Sequence, residues 1–257
     1  MKRPTTKSLR LIAEQSAPAV VRLAIKEVSA LENNRYFYRL KYERGADVRY
    51  VSHLDMLKLF DRAARRGGVP VAYSSGFNPH PQFVFGMPLP VGVTSEAEYV
   101  DVETPVMIPE QEIMERFNNA FPPSVKVLEV KLLPKGAENI MKSVVASEYK
   151  VKVLFEGISA EKGIEEMIKL LAAREPLVVM KRTKSGTRET DIMPMIIGIK
   201  ALEVGGDNEY SAVLKVTTSA GNINNLRPEL AVNSLAEKCG INLSVKSIHR
   251  LSLLNKV

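Results

Sequence analysis

The segment YSSGFNPHPQF, residues 73–83, carries the densest group of side chains that could do chemistry. His80, one of three histidines in the chain, lies between two prolines, and Asn78 also precedes a proline. A residue before proline is restricted to extended geometry, so this loop is stiff. We expect the loop to present Phe77, Asn78 and His80 to a ligand with little conformational entropy left to lose on binding.

Each of these side chains fits more than one role. Phe77 could stack on a base, and Asn78 could hydrogen-bond to a base edge. His80 could contact a phosphate or act as a general acid or base. The structural alternative is that Phe77 fills the core while the prolines only shape a connection between two elements.

A basic helix is predicted just before this loop, over the segment SHLDMLKLFDRAARRGG at 52–68. Ser52 suits the N-cap, and the glycine pair suits the C-terminal end. Lys58, Arg62 and Arg66 are spaced four residues apart, so they share one helix face. Such a row could follow a phosphate backbone, but it is equally typical of a solvated helix face.

His53 lies in the first turn of the predicted helix, where free backbone N–H groups attract anions. With His80 it could form the site of a metal-independent ribonuclease, or the two histidines could bind one metal ion with Asp55. Two histidines 27 residues apart are a weak metal signal, so we expect no metal and no other cofactor. Cys239 is the only cysteine, which excludes an internal disulfide and a cysteine-based cluster or zinc site.

A second basic segment, KRTKSGTRET at 181–190, is predicted to form the tip of a β-hairpin. Lysines on an exposed hairpin often prevent unwanted strand pairing, so this composition has a structural explanation too. The functional alternative is a nucleic-acid contact made by Lys181, Arg182, Lys184 and Arg188.

The elements that must position these residues follow the order β-α-β-β-α-β, and the order occurs twice. In the first copy, short strands are predicted at Val69–Tyr73 and Gln82–Gly86; the second copy contains one additional hairpin. We therefore predict an α+β fold of two tandem ferredoxin-like units with antiparallel sheets. The predicted divisions are a basic helical arm over 1–34, a first unit over 35–135 that holds the SHLD and GFNPHP motifs, and a second unit over 145–257.

The composition limits the class of protein. The chain has 257 residues, 36 Lys and Arg against 29 Asp and Glu, and a formal charge of +7, which suits RNA, DNA or an acidic partner. Residues 1–35 hold seven basic and three acidic residues, so this N-terminal segment carries over half of the excess. No apolar run approaches the roughly 18 residues of a membrane span. No signal peptide is evident either, and we expect a cytoplasmic protein without membrane contact.

Residues 49–103 closely resemble the radical-SAM-linked domain of unknown function, a bacterial family fused to or encoded beside radical SAM proteins. The strings SHLD and GFNPHP…PLPVG…SEAEY carry the resemblance, and DIMP at 191–194 and RPEL at 227–230 match weaker later motifs, giving coverage of about 35–255. Two positions depart from the family pattern. Met193 stands where the family tends to have arginine, and Gln82 stands where it tends to have a basic residue.

The resemblance implies a cytoplasmic partner of a radical SAM enzyme, and the family's genomic association with ribosome and RNA-processing genes implies RNA. Without a cysteine triad, this chain cannot hold the radical SAM cluster itself. We therefore predict an RNA-binding or substrate-presenting accessory protein for tRNA or rRNA modification or processing, rather than an enzyme on its own. Two alternatives stay open: a metal-independent endoribonuclease using His53 and His80, and a protein–protein adaptor.

Overall fold

The computed structural model describes residues 35–183, 186–221 and 224–255. The predicted helical arm over 1–34 lies outside these residues, as does Lys184. Within the described ranges, no helix is long and apolar enough to cross a membrane.

The first unit follows the predicted order closely. Its elements are β1 (Tyr36–Arg44), α1 (His53–Gly67), β2 (Phe83–Phe85), β3 (Thr94–Thr104), α2 (Glu110–Ala120) and β4 (Val125–Leu132). The sheet order is β4-β1-β3, with the short β2 on the far side of β3. This is the arrangement of a ferredoxin-like unit, and both helices pack on one face of the sheet around Phe60 and Phe117.

The second unit repeats the arrangement after a short helix, α3 (Ile140–Ser143). Its strands run in the order β10-β5-β9-β8, and the additional β6–β7 hairpin forms a separate two-stranded sheet. The elements are β5 (Val144–Glu156), α4 (Ala160–Ala173), β6 (Val178–Thr183), β7 (Gly186–Asp191), β8 (Ile196–Val204), β9 (Ser211–Ser219), α5 (Pro228–Lys238) and β10 (Asn242–Asn255). The predicted tandem ferredoxin-like α+β fold is therefore confirmed.

The two units share one eight-stranded sheet, which the sequence did not predict. β10 pairs with the start of β3 in parallel, so the sheet is mixed at this point rather than wholly antiparallel. β2 has only three residues and pairs with β3 only from Val100 to Val102, which leaves the start of β3 open to β10. The predicted boundaries of the units stay predictions.

The strand predicted at Val69–Tyr73 does not form. The backbone turns tightly at Pro70, where the Val71 N–H donates to the Val69 carbonyl over 2.9 Å. The segment forms a single isolated bridge, between Tyr73 and Pro81. The fixed φ angle of proline and its missing N–H oppose a regular ladder at both positions.

Alternation along the strands leaves one face of the second unit's sheet open. In β5, Val151, Val153 and Phe155 are buried in the core that α4 and α5 cover. Lys150 and Lys152 alternate with them and therefore lie on the other face, which carries no helix of this unit.

Candidate nucleic-acid interface

Residues 73–81 form a closed loop, which we call the strap. Its two ends are joined by the Tyr73–Pro81 bridge. The Ser74 N–H donates to the His80 carbonyl over 2.8 Å, and the His80 N–H donates to Ser74 Oγ over 3.0 Å. These bonds fix the ends of the strap and leave its tip projecting from the fold.

Backbone hydrogen bonds attach the base of the strap to the end of β3. The Ala72 N–H donates to the Glu103 carbonyl over 2.7 Å, and the Gln82 N–H donates to the Ala72 carbonyl over 2.8 Å. At the tip, Gly76 has φ of 133°, a left-handed conformation that favours glycine. The strap is therefore anchored at its base and shaped by glycine and proline at its tip.

All three side chains predicted to contact a ligand are exposed on the strap. Phe77 is fully exposed, so it does not fill the core, and the structural alternative for this residue is wrong. Asn78 and His80 are exposed as well. A fully exposed phenylalanine leaves an apolar ring in water, and a ring that stacks on a ligand would remove that apolar surface from water.

The strap adjoins the basic helix through its first residue. The Tyr73 hydroxyl donates to Asp61 Oδ1 over 2.9 Å, and Arg65 forms an ion pair with the same carboxylate at 3.0 Å. The Arg65 guanidinium also lies 6.0 Å from the centre of the Tyr73 ring. This cluster sets the strap beside the exposed face of α1.

The predicted cationic stripe on α1 is exposed, but its members differ in their partners. Lys58 forms a solvent-exposed pair with Asp55 at 3.3 Å, and Arg66 donates to the carbonyl of Ala120 over 2.6 Å. Within the described part of the chain, Arg62 has no hydrogen bond or ion pair. Exposed pairs contribute only about 0–1 kcal/mol, so Lys58 and Arg62 are the members most available to a phosphate.

His53 lies in a different environment from His80. Its ring packs edge-on against Phe85, with 5.4 Å between ring centres. Burial, and then the nearby charge of Arg44, lower the pKa of His53. In the residues that the structure describes, no hydrogen bond or ring contact joins the two histidines, and no group of three or more His, Cys, Asp or Glu is arranged to hold a metal ion.

The second basic segment is a hairpin, as predicted. Lys181 lies opposite Arg188 across β6 and β7, and Lys181 Nζ donates to the Asn225 carbonyl over 3.0 Å. Arg188 is exposed, and Arg182 lies in β6. Lys181 and Arg188, whose side chains the structure describes, therefore lie on a hairpin outside the main sheet.

A cavity at the seam between the units was not predicted. It has a volume of about 450 Å³ and brings together parts of the PLPVG and RPEL strings. Pro90–Val93, Tyr149, Arg227–Glu229 and Val245–Ile248 line it. These segments are far apart in the chain and meet only because β10 joins β3.

A buried ion pair lies beside this cavity. Arg250 Nη1 lies 2.8 Å from Glu98 Oε1, and both side chains are almost fully buried. Arg250 also donates to the Tyr149 hydroxyl over 3.2 Å.

The charge of Glu98 also acts on the buried Tyr42. Burial, and then the Glu98 carboxylate, hold the pKa of the Tyr42 phenol well above its ordinary value, so Tyr42 stays neutral. The sequence signal for this cluster is the placement of Glu98 in phase with the buried Val100.

The DIMP string has a structural role. Asp191 Oδ1 accepts hydrogen bonds from the N–H groups of Leu177 and Met193, over 2.9 and 3.0 Å. Met193, one of the two positions that depart from the family pattern, is buried in the core of the second unit. Gln82, the other, lines a cavity of about 270 Å³ together with Asp101 and Glu103.

Several solved structures are distantly similar to this chain. A crystal structure of a Cbf5–Nop10–Gar1 complex aligns at 10% identity and a TM-score of 0.44, covering 92% of this chain and 51% of the other. An H/ACA RNP bound to a substrate RNA containing 2′-deoxyuridine aligns at 10% identity and a TM-score of 0.43, covering 92% and 50%. The chain thus spans about half the length of these neighbours. None of these likenesses is close enough to assign a function.

An unknown protein from Galdieria sulphuraria aligns at 10% identity and a TM-score of 0.24, covering 83% of this chain and 98% of the other. No curated protein sequence matches the chain. A family model described as an uncharacterized protein conserved in bacteria (DUF2344) matches residues 38–228. This match confirms the resemblance to a bacterial family of unknown function. Because it spans well over half of the chain, the protein belongs to this family of uncharacterized bacterial proteins, DUF2344.

Proposed function

We propose that this protein binds RNA through the strap and the adjoining face of α1. The observation that carries the proposal is Phe77, a fully exposed aromatic side chain on a loop whose ends are hydrogen-bonded together. Aromatic rings beside cations are typical of single-stranded nucleic-acid interfaces, because every base has a face on which a ring can stack. The anchored base of the strap limits the entropy lost when a base stacks there.

The other predicted side chains have complementary roles in this proposal. Lys58, Arg62 and Arg66 contact phosphates, and Asn78 and His80 contact the nucleotide that stacks on Phe77. Lys181, Arg182 and Arg188 of the β6–β7 hairpin add positive charge, and Lys184, which follows β6 in the sequence, adds one more. Phosphate contacts of this kind make binding weaken as salt rises, because each one releases counterions.

A filter-binding titration with total tRNA and rRNA at two salt concentrations tests the proposal. We expect micromolar or tighter binding that weakens at the higher salt concentration. Phe77→Ala should weaken binding by about 1–3 kcal/mol, the range measured for loss of a stacked base. Tyr210→Ala, at an exposed aromatic residue in a different loop, is the matched control. Absence of binding at low salt would contradict the proposal.

We further propose that the bound RNA is a tRNA or rRNA presented to a radical SAM enzyme during modification or processing in the cytoplasm. Support comes from the resemblance of residues 49–103 to the radical-SAM-linked domain. The single cysteine means that the iron–sulfur cluster would belong to a second protein. Copurification of a radical SAM enzyme that is lost after nuclease treatment would support an RNA-mediated association; copurification that survives nuclease would favour the adaptor alternative.

A metal-independent endoribonuclease is the second candidate, and one observation favours it. The lowered pKa of His53 keeps its imidazole neutral at physiological pH, as a general base requires. This candidate predicts RNA cleavage that persists in EDTA and disappears in His80→Ala. RNA that stays intact during long incubation with the pure protein would reject it.

A further inference from the structure

Four basic residues lie side by side across the sheet of the second unit. Lys200 in β8 is directly opposite Lys215 in β9, and Lys215 is directly opposite Lys150 in β5. Lys150 is in turn directly opposite His249 in β10. We call these four residues the cationic row. With neighbouring strands about 4.8 Å apart, the row spans about 14 Å.

The cationic row lies on the open face of the sheet. Each member alternates with residues that pack into the core on the helix side, such as Val151, Leu214 and Ile199. Residues directly opposite each other in a sheet project to the same face, so the four side chains stand together. Lys150 and Lys200 are exposed, and Lys215 and His249 are half-buried.

Acidic residues neutralise only part of this row. Lys215 Nζ lies 2.6 Å from Glu148 Oε1, and His249 Nε2 lies 3.5 Å from Glu96 Oε2. In the part of the chain that the structure describes, Lys150 and Lys200 have no acidic partner.

The row is not explained by folding. Like charges directly opposite each other across strands are destabilising. Lysines that prevent strand-to-strand aggregation belong on edge strands, and this reason applies to Lys200 on β8 alone. Lys150 and Lys215 lie on interior strands, where pairing partners are already present on both sides. A ligand that neutralises the row would relieve the repulsion.

We propose that this open face binds the phosphate backbone of single-stranded RNA, with the cationic row crossing it from β8 to β10. The inference rests on the proposed RNA binding and extends it to a surface on the other unit. Three lysine cations in line on a flat sheet suit an extended polyanion, and hydroxyl groups such as those of Ser247 and Thr217 on the same face can donate to phosphate oxygens. Contacts of this type do not select a base sequence.

Titration of a fluorescent oligouridylate against the full chain at several salt concentrations tests the inference. In the double variant Lys150→Gln/Lys200→Gln we expect affinity to fall several-fold. The magnitude of the slope of log affinity against log salt should fall by about 1.4. This is about 0.7 for each of the two phosphate contacts to a single strand that are lost. The melting temperature should stay equal or rise, because two repelling charges are gone.

The matched control is Lys162→Gln/Lys238→Gln, which removes the same charge from exposed residues of α4 and α5 on the helix side. Affinity that is the same in the two double variants would overturn the inference. If Lys150→Gln/Lys200→Gln fails to fold, the double variant Lys150→Arg/Lys200→Arg provides the test. It keeps both positive charges and should retain affinity. Loss of affinity in Lys150→Arg/Lys200→Arg would also overturn the inference.

The outcomes separate this inference from the proposed function. Protein that binds tRNA or rRNA but not oligouridylate overturns the inference alone. A second outcome also rejects the open face: Lys150→Gln/Lys200→Gln binds oligouridylate normally while Phe77→Ala binds it weakly. In that case the strap is the interface. The reverse pattern supports the open face and rejects the strap. Protein that binds none of these RNAs overturns both.

Discussion

Glu98 and Arg250 are charged side chains at positions where strand alternation places apolar ones. Glu98 follows the phase of Val100 and Val102, both buried, and Arg250 is the largest fully buried side chain among the described residues. The pair is completed by the Met87 carbonyl, which accepts from Arg250 over 3.0 Å, and by the Tyr149 hydroxyl. Such a pair tolerates burial only while both charges are present.

Glu98→Gln should therefore destabilise the protein strongly. It removes one charge and leaves the Arg250 guanidinium buried without its counter-charge, at a cost of about 3–5 kcal/mol. Urea unfolding followed by circular dichroism measures the change in the free energy of unfolding.

The double variant Glu98→Leu/Arg250→Met provides the control for that prediction. It removes both charges and fills the site with apolar side chains, which is often neutral or stabilising compared with a buried ion pair. Recovery of most of the lost stability is expected. A Glu98→Gln variant as stable as the wild type would show that water reaches the Arg250 guanidinium.

At the level of elements, α1 is the part of the fold whose sequence signals were most complete. Ser52 Oγ accepts from the Asp55 N–H over 3.2 Å, and Gly68 ends the helix with φ of 66°. What these signals did not reveal is the close contact of this end of α1 with α2. A Cβ atom at Gly67 would overlap the backbone carbonyl oxygen of Arg116.

Gly67→Ala should accordingly destabilise the first unit, although alanine is the better helix former by about 1 kcal/mol. The added methyl group must displace the α2 backbone, and overpacking of this kind costs about 1–3 kcal/mol. Thermal unfolding of the variant measures the effect. Gly198→Ala is the control, because a Cβ atom at Gly198 meets nothing within 4 Å. Equal melting temperatures for the two variants would contradict the prediction.

At the level of the whole molecule, the join between β3 and β10 is the decisive feature. Two residue pairs, His249 with Thr94 and Arg250 with Ser95, connect the sheets of the two units. The hydrogen bond between Thr94 Oγ1 and His249 Nδ1, 2.8 Å long, reinforces the same point. The buried Glu98–Arg250 pair spans the seam, so separating the two units would expose both charged side chains to water.

We therefore expect the two units to unfold together. Differential scanning calorimetry should show one transition whose calorimetric and van't Hoff enthalpies agree. Glu98→Gln should shift that transition to a lower temperature. Two resolved transitions in the wild-type protein would show that the units unfold independently despite their common sheet.

The elements were largely predictable from the sequence because their signals are local. Pro228 in the first turn of α5 and Gly240 after its end predict that helix, and alternation over residues 147–156 predicts most of β5. The exposure of Phe77 was less predictable, since the same GFNPHP string allowed a buried ring. The difference depends on whether tertiary contacts cover the tip of the strap.

The sequence alone determined the order of elements, the ferredoxin-like class and the stiffness of the strap, because periodicity, caps and prolines act over a few residues. Only the tertiary structure decided the common sheet, the buried ion pair and the cationic row. Lys150, Lys200, Lys215 and His249 are scattered over a hundred positions, and each alone is an ordinary strand residue. Strand register brings them into one line, and register depends on the packing of the whole sheet rather than on any short segment.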